Sequence, residues 1–156
     1  MRLTLWTAFW VFLVDQATKY VVVHWLDLIN KLAIDVLPPM LNFRMAWNRG
    51  VNFGLFANDA AIMRWVLIAL AFAITAFVLY WMARDKPPAQ AQMAAGLLVG
   101  GALGKVIDRI LFGAVAAFLN MSCCGLSNPF AFNVADIAIF VGAFGLVLLP
   151  HKRKTP

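Results

Sequence analysis

Glutamate is absent from this chain. All seven acids are aspartates (Asp15, Asp27, Asp35, Asp59, Asp85, Asp108 and Asp136), so every carboxylate sits on a short arm and, once buried, needs a partner close at hand. Charge of any kind is scarce: 13% of the 156 residues are charged against 63% hydrophobic, with a mean hydropathy of +0.82. That balance excludes an ordinary soluble domain and makes a membrane the natural solvent. Metal-ligand spacing is also missing. The only two cysteines, Cys123 and Cys124, are neighbours, and a bond between them would be strained; no metal and no cofactor is expected. The net charge of +6 does not point to nucleic acid, because the basic residues form no stripe and do not interleave with aromatics. Anionic membrane lipid is the better partner.

What is present is a set of long apolar runs. Four stretches of the length needed to cross about 30 Å of hydrocarbon fall at residues 3–23, 62–83, 92–112 and 132–149. A cleavable leader over residues 1–14 is not expected, since Asp15 and Lys19 interrupt the run before any small-x-small cleavage site and hydrophobicity then resumes to Trp25. Trp6, Trp10, Trp25, Trp65, Tyr80 and Trp81 lie near the span ends, as interfacial aromatics do. Arg2, the Arg84 and Lys86 turn beside Pro87-Pro88, and Lys152, Arg153 and Lys154 place both termini on the cytoplasmic side by the positive-inside rule. The connections around residues 24–61 and 113–131 then lie outside.

The first outer connection has its own pattern. Leu41, Phe43, Met45 and Trp47 alternate with Asn42, Arg44, Ala46 and Asn48 after a Pro38-Pro39 break, the period of a strand. A second strand is expected over residues 51–56, with Asn48-Arg49-Gly50 as the turn between them. The fold class expected is therefore an all-α membrane protein: four transmembrane helices, a small β-sheet on the outer surface within residues 34–56, and a short outer loop, forming one domain over residues 1–156.

Polar residues gather at one end of these spans. Asp15 and Lys19 stand one turn apart with acid before base, the favourable i,i+4 order. Lys105, Asp108 and Arg109 lie near the outer end of the third span, and Asn133 and Asp136 share a face in the first outer turns of the fourth. Charges within the bilayer cost roughly 2.5–3.5 kcal/mol each on insertion scales and usually face a bundle interior, so a shared site is a simpler reading than isolated salt bridges. Gly96, Gly100 and Gly104, with Gly101 beside them, supply the spacing that lets helix backbones approach closely.

With those residues in place the chain resembles the lipoprotein signal peptidases (signal peptidase II), the membrane aspartic peptidases of bacteria. Asp15-Gln16-Ala17-Thr18-Lys19 resembles the first-helix motif, and Asn48-Arg49-Gly50-Val51-Asn52-Phe53-Gly54 the outer-loop motif. Gly100 through Arg109 resembles the glycine-rich third-helix motif, and Phe132-Asn133-Val134-Ala135-Asp136 the fourth-helix motif carrying a catalytic aspartate. The resemblance implies removal of signal peptides from diacylglyceryl-modified prolipoproteins at the periplasmic side of the bacterial inner membrane. It also implies a monomer acting without cofactor and open to globomycin-type inhibitors. Asp136 would be one catalytic acid; Asp15, Lys19, Asn48, Gly50, Gly101, Lys105, Asp108, Arg109 and Asn133 would shape the site and bind substrate.

Two positions depart from that pattern. The family's second catalytic aspartate falls where this chain has Ala117, in Gly113-Ala114-Val115-Ala116-Ala117-Phe118, and a family asparagine falls at Lys105. An aspartic peptidase divides acid and base roles between two close carboxylates that cannot both ionise. Alanine carries no such group, and a lysine beside Asp136 suits a salt bridge better than a shared proton. The chain is expected to be catalytically impaired, with Asp108 the lesser choice for a replacement acid. Two rival readings are a non-enzymatic membrane protein that binds lipoproteins or their signal peptides, and a small proton or ion carrier. The carrier is disfavoured because no ionisable residue lines the inner halves of the spans.

Overall fold

The structure is a computed structural model that describes residues 1–50, 60–125 and 128–149. Helix α1 (Arg2–Lys19) runs without a break into π-helical turns over Tyr20–Trp25, and a short α2 (Leu28–Lys31) follows. Strands β1 (Ala33–Leu37) and β2 (Leu41–Asn48) lead to the long helix α3 (Ala60–Asp85). After the Pro87-Pro88 turn come α4 (Ala89–Phe112), β3 (Val115–Asn120) and α5 (Val134–Leu148). These helices occupy the four apolar stretches, although α5 has only 15 residues. By length and composition, one helix among the described residues, Ala61–Asp85, is long and apolar enough to cross a membrane.

Helix α4 is the centre of the bundle, packed against α1, α3 and α5, and its glycines explain how. A Cβ on Gly100 would lie 2.5 Å from the Ala8 carbonyl oxygen and 2.8 Å from Val11 Cβ; one on Gly101 would lie 2.7 Å from the Ala135 carbonyl oxygen. With α1 on one side and α5 on the other, no side chain fits at either position. Small residues continue the seam, where Ala91, Ala94, Ala95, Leu98 and Val99 pack with Ala8, Val78, Met82 and Leu146. The outward faces are strongly apolar: Trp6, Leu111, Phe140 and Val147 are all more than half exposed, a surface suited to lipid rather than water.

The three strands form one antiparallel sheet in the order β1-β2-β3. The alternating run at 41–48 is a strand as expected, but Pro38-Pro39, read from the sequence as a break before the sheet, is the turn of a hairpin that pairs β2 with β1. The strand expected over residues 51–56 lies outside the described residues. The third strand comes instead from the segment expected to be a short outer loop, and pairs Asn48 with Val115, Trp47 with Ala116 and Ala46 with Ala117. Val115, Ala116, Ala117 and Phe118 are all buried. A strand covered on both faces shows no alternation for a sequence reading to detect.

The glycine seam gives a direct test. Gly100→Ala is expected to lower stability by about 1–3 kcal/mol through overpacking, whereas Gly145→Ala, whose Cβ would meet only Ala94 Cβ at 3.0 Å, should cost distinctly less. Thermal unfolding in detergent micelles would separate the two.

Candidate active site

Two carboxylates and one ammonium occupy the middle of the polar end. Asp15 on α1 and Asp108 on α4 are fully buried, and Lys19 is 6% exposed. The Lys19 Nζ lies 2.6 Å from Asp15 Oδ2 and 2.8 Å from Asp108 Oδ2. The remaining acceptor capacity is used by neighbours. Gln16 Nε2 donates to Asp15 Oδ2 at 3.2 Å and to Asp108 Oδ1 at 3.1 Å. The Ala135 amide, in the first turn of α5, donates to Asp15 Oδ1 at 2.9 Å, and the Ala116 amide of β3 donates to Asp108 Oδ2 at 3.2 Å. Gly104 leaves the room this needs, since a Cβ there would sit 2.5 Å from Asp15 Oδ2. One ion triad thus ties α1, α4, α5 and β3 together.

Asp136 sits beside this cluster in a different setting. Asn133, at the N-cap of α5, accepts from the Asp136 amide at 3.0 Å, and Asp136 Oδ2 accepts from the Asn133 amide at 3.0 Å. This reciprocal capping box satisfies two backbone donors at the helix start. Asn133 Nδ2 also donates to the Ala116 carbonyl at 2.7 Å. The second Asp136 oxygen, Oδ1, is 2.5 Å from Lys105 Nζ, with the two side chains 30% and 23% exposed. A donor on each oxygen is the pattern of a carboxylate acting only as acceptor.

The other sequence-derived positions fall around this core. Ala117 is 2% exposed on β3, opposite Ala46, and presents a methyl group. Its neighbour Ala116 is the residue whose backbone joins Asp108 to Asn133. Arg109 is 8% exposed, forms no ion pair among the described residues, and keeps its buried Nε without a partner. Gly101 provides the close contact between α4 and α5. Asn48 and Gly50 are not joined to the buried cluster by hydrogen bonds. Asn48 Oδ1 accepts from the Gly50 amide at 3.0 Å, and Gly50, at φ +115, packs against Leu67 and Met63 of α3.

Three participants were not singled out from the sequence. Gln16 stands inside the first-helix motif, where a polar residue between Asp15 and Lys19 was the available signal. Ala116 and Ala135 act through backbone amides, which no side-chain pattern reveals. A cavity of about 120 Å³ opens over Lys19 and Asp108, walled by Tyr20, His24, Trp47 and Phe112. Among the described residues no three His, Cys, Asp or Glu side chains come together as a metal site. Cys123 and Cys124 are exposed and unbonded, and a hydrogen bond with Cys124 pushes the Cys123 thiol up from its ordinary value.

The family model described as Signal peptidase (SPase) II matches residues 7–150. The chain is 42% identical to a lipoprotein signal peptidase of Methylobacterium radiotolerans over 91% of its own length and 83% of the relative's. With the lipoprotein signal peptidase of Vibrio parahaemolyticus identity is 34%, over 96% and 88%. A bacterial membrane enzyme solved by the in meso method at 1.9 Å superposes with a TM-score of 0.78 at 26% identity, covering 93% of this chain and 90% of that one.

The two ionic groups should respond differently to loss of their lysine. Lys19→Met leaves two fully buried carboxylates without a cation and is expected to cost about 3–5 kcal/mol. Lys105→Asn removes a partner from a part-exposed carboxylate that remains a helix cap, and is expected to cost within about 1 kcal/mol. Comparing the thermal midpoints of the two variants checks this; equal losses would contradict it.

Proposed function

The chain belongs to the signal peptidase II family of membrane proteases, and on that premise we propose that it engages lipid-modified prolipoproteins as its relatives do but is impaired in the cleavage step. The observation that carries this reading is the Lys105–Asp136 ion pair, 2.5 Å between Nζ and Oδ1, taken together with a β3 position that holds Ala117 rather than an acid. In the reaction the family resemblance implies, one carboxylate draws a proton from water as it attacks the scissile carbonyl, and the other, protonated, donates to the departing amide nitrogen. Here one of those groups is a methyl. The other accepts from Lys105 on one oxygen and from the Asn133 amide on the second, and a single carboxylate cannot serve as acid and base at once. Asp108 does not make up the difference: it is fully buried, with Lys19, Gln16 and the Ala116 amide on its two oxygens.

In this proposal the molecule is one domain of four spans in the bacterial inner membrane, with both termini cytoplasmic and the sheet and polar cluster toward the periplasm. The buried charges at one end of the bundle and the apolar outward faces support that placement. Asp15, Lys19 and Asp108 hold the cleft in shape, with Gly101 and Asn133 fixing α5 against α4. Arg109, buried and without an ion-pair partner, is left to meet substrate. Asn48 and Gly50 form the turn at the end of the sheet against which the signal peptide lies. A role in sequestering or chaperoning lipoproteins, without turnover, fits the same features. The protein acts as a monomer and remains a receptor for globomycin-type inhibitors.

Assay of a diacylglyceryl-modified prolipoprotein peptide tests this. The chain as it stands is expected to bind the peptide and release little or no product, and Ala117→Asp with Lys105→Asn is expected to gain cleavage well above Ala117→Asp alone. Turnover by the unaltered chain comparable to a relative with both aspartates would refute the impairment.

A further inference from the structure

A second cavity, of about 430 Å³, lies where the first turn of α3 meets the end of α4, lined by Trp47, Arg49, Ala61, Arg64, Phe112 and Gly113. Neither member of the Lys105–Asp136 pair lines it, and no acid is among its lining residues. Its two arginines differ from Lys19, Lys105 and Arg44, which each meet a carboxylate, and from Arg109, which is buried. Arg49 and Arg64 have no ion pair among the described residues. Arg64 is steered by its neighbours: it donates to the Ile110 carbonyl at 2.8 Å, lies 5.2 Å from the Trp65 ring centre, and keeps a shielded Nε without a partner among the described residues. Its Nη1 lies against Gly113, where an added Cβ would touch it at 3.6 Å, and both residues line the cavity. Trp47 and Phe112, with ring centres 5.8 Å apart, form an aromatic wall.

Two guanidinium groups on one cavity, neither in an ion pair among the described residues, make a site for an oxyanion, since each presents a planar fork of donors matched to phosphate geometry. Aromatics beside cations at the end of apolar helices mark the level of lipid headgroups. We propose that this cavity binds the phosphodiester of an anionic phospholipid, with Arg49 and Arg64 on the phosphate oxygens and the glycerol backbone against Trp47 and Phe112. A neutral diacylglyceryl group has no charge to match the two arginines, so the site differs in chemistry from one for a lipid-modified peptide. It operates whether or not the chain cleaves anything.

The test uses the full chain purified in a nonionic detergent, with bound lipid read by native mass spectrometry. Phosphatidylglycerol is expected to persist as a one-to-one adduct that weakens with added salt, while diacylglycerol of the same tails leaves none. Arg49→Gln, at an exposed side chain, should reduce the adduct about fivefold, the worth of one basic residue near an anionic lipid surface. Adding Arg64→Gln should remove it, and Arg44→Gln, which breaks an ion pair elsewhere on β2, should leave it intact. An adduct undiminished by Arg49→Gln, or equal retention of diacylglycerol, overturns the proposal. Displacement of the lipid by inorganic phosphate at equal concentration overturns the lipid assignment in favour of a free-phosphate site.

Discussion

The rest of the molecule's polar end depends on one ammonium group held between two carboxylates. Lys19 costs several kcal/mol to desolvate, as do Asp15 and Asp108, and the cost is offset only because each charge finds both an opposite charge and further hydrogen bonds. Those further bonds give the triad its structural reach. The free positions on the two carboxylates accept amides of α5 and β3, so the charge balance between α1 and α4 also fixes where the fourth long helix begins and where the third strand docks. Residues 117 and 136 are placed by a network to which neither contributes a charge.

This separates the site into two levels. The lower level is buried, each of its charges meets an opposite charge, and its members come from elements far apart in sequence. The upper level is the Lys105–Asp136 pair, about a quarter exposed, resting on helices that the lower level has already aligned. A change at Lys105 or Ala117 removes no partner from any fully buried charge. Such a change therefore leaves intact the buried network that aligns the helices and the sheet.

What could be read from the sequence follows the same division. The long apolar runs, the i,i+4 spacing of Asp15 and Lys19, the i,i+3 spacing of Asn133 and Asp136 and the four-residue glycine rhythm are local patterns, and all correspond to contacts in the structure. The meeting of Lys19 with Asp108 was inferred only as a shared depth, because the sequence carries span direction but not helix azimuth. The π-helical turns at Tyr20–Trp25 left no mark in a run that reads as continuous helix. Strand β3 was invisible for a clearer reason: Val115-Ala116-Ala117-Phe118 is buried throughout, and without a wet face there is no alternation. The hairpin at Pro38-Pro39 was within reach, since two prolines between apolar-rich segments suit a turn as well as a break.

The capping box at the start of α5 carries a consequence of its own. Asp136 closes that helix by accepting the Asn133 amide, a task independent of any bond being cut, and Asn133 in turn carries the Ala116 carbonyl. Folding alone therefore gives position 136 a reason to stay aspartate. An acid at position 136 seals the end of α5 whatever else it does, while at position 117 no helix terminus depends on the side chain.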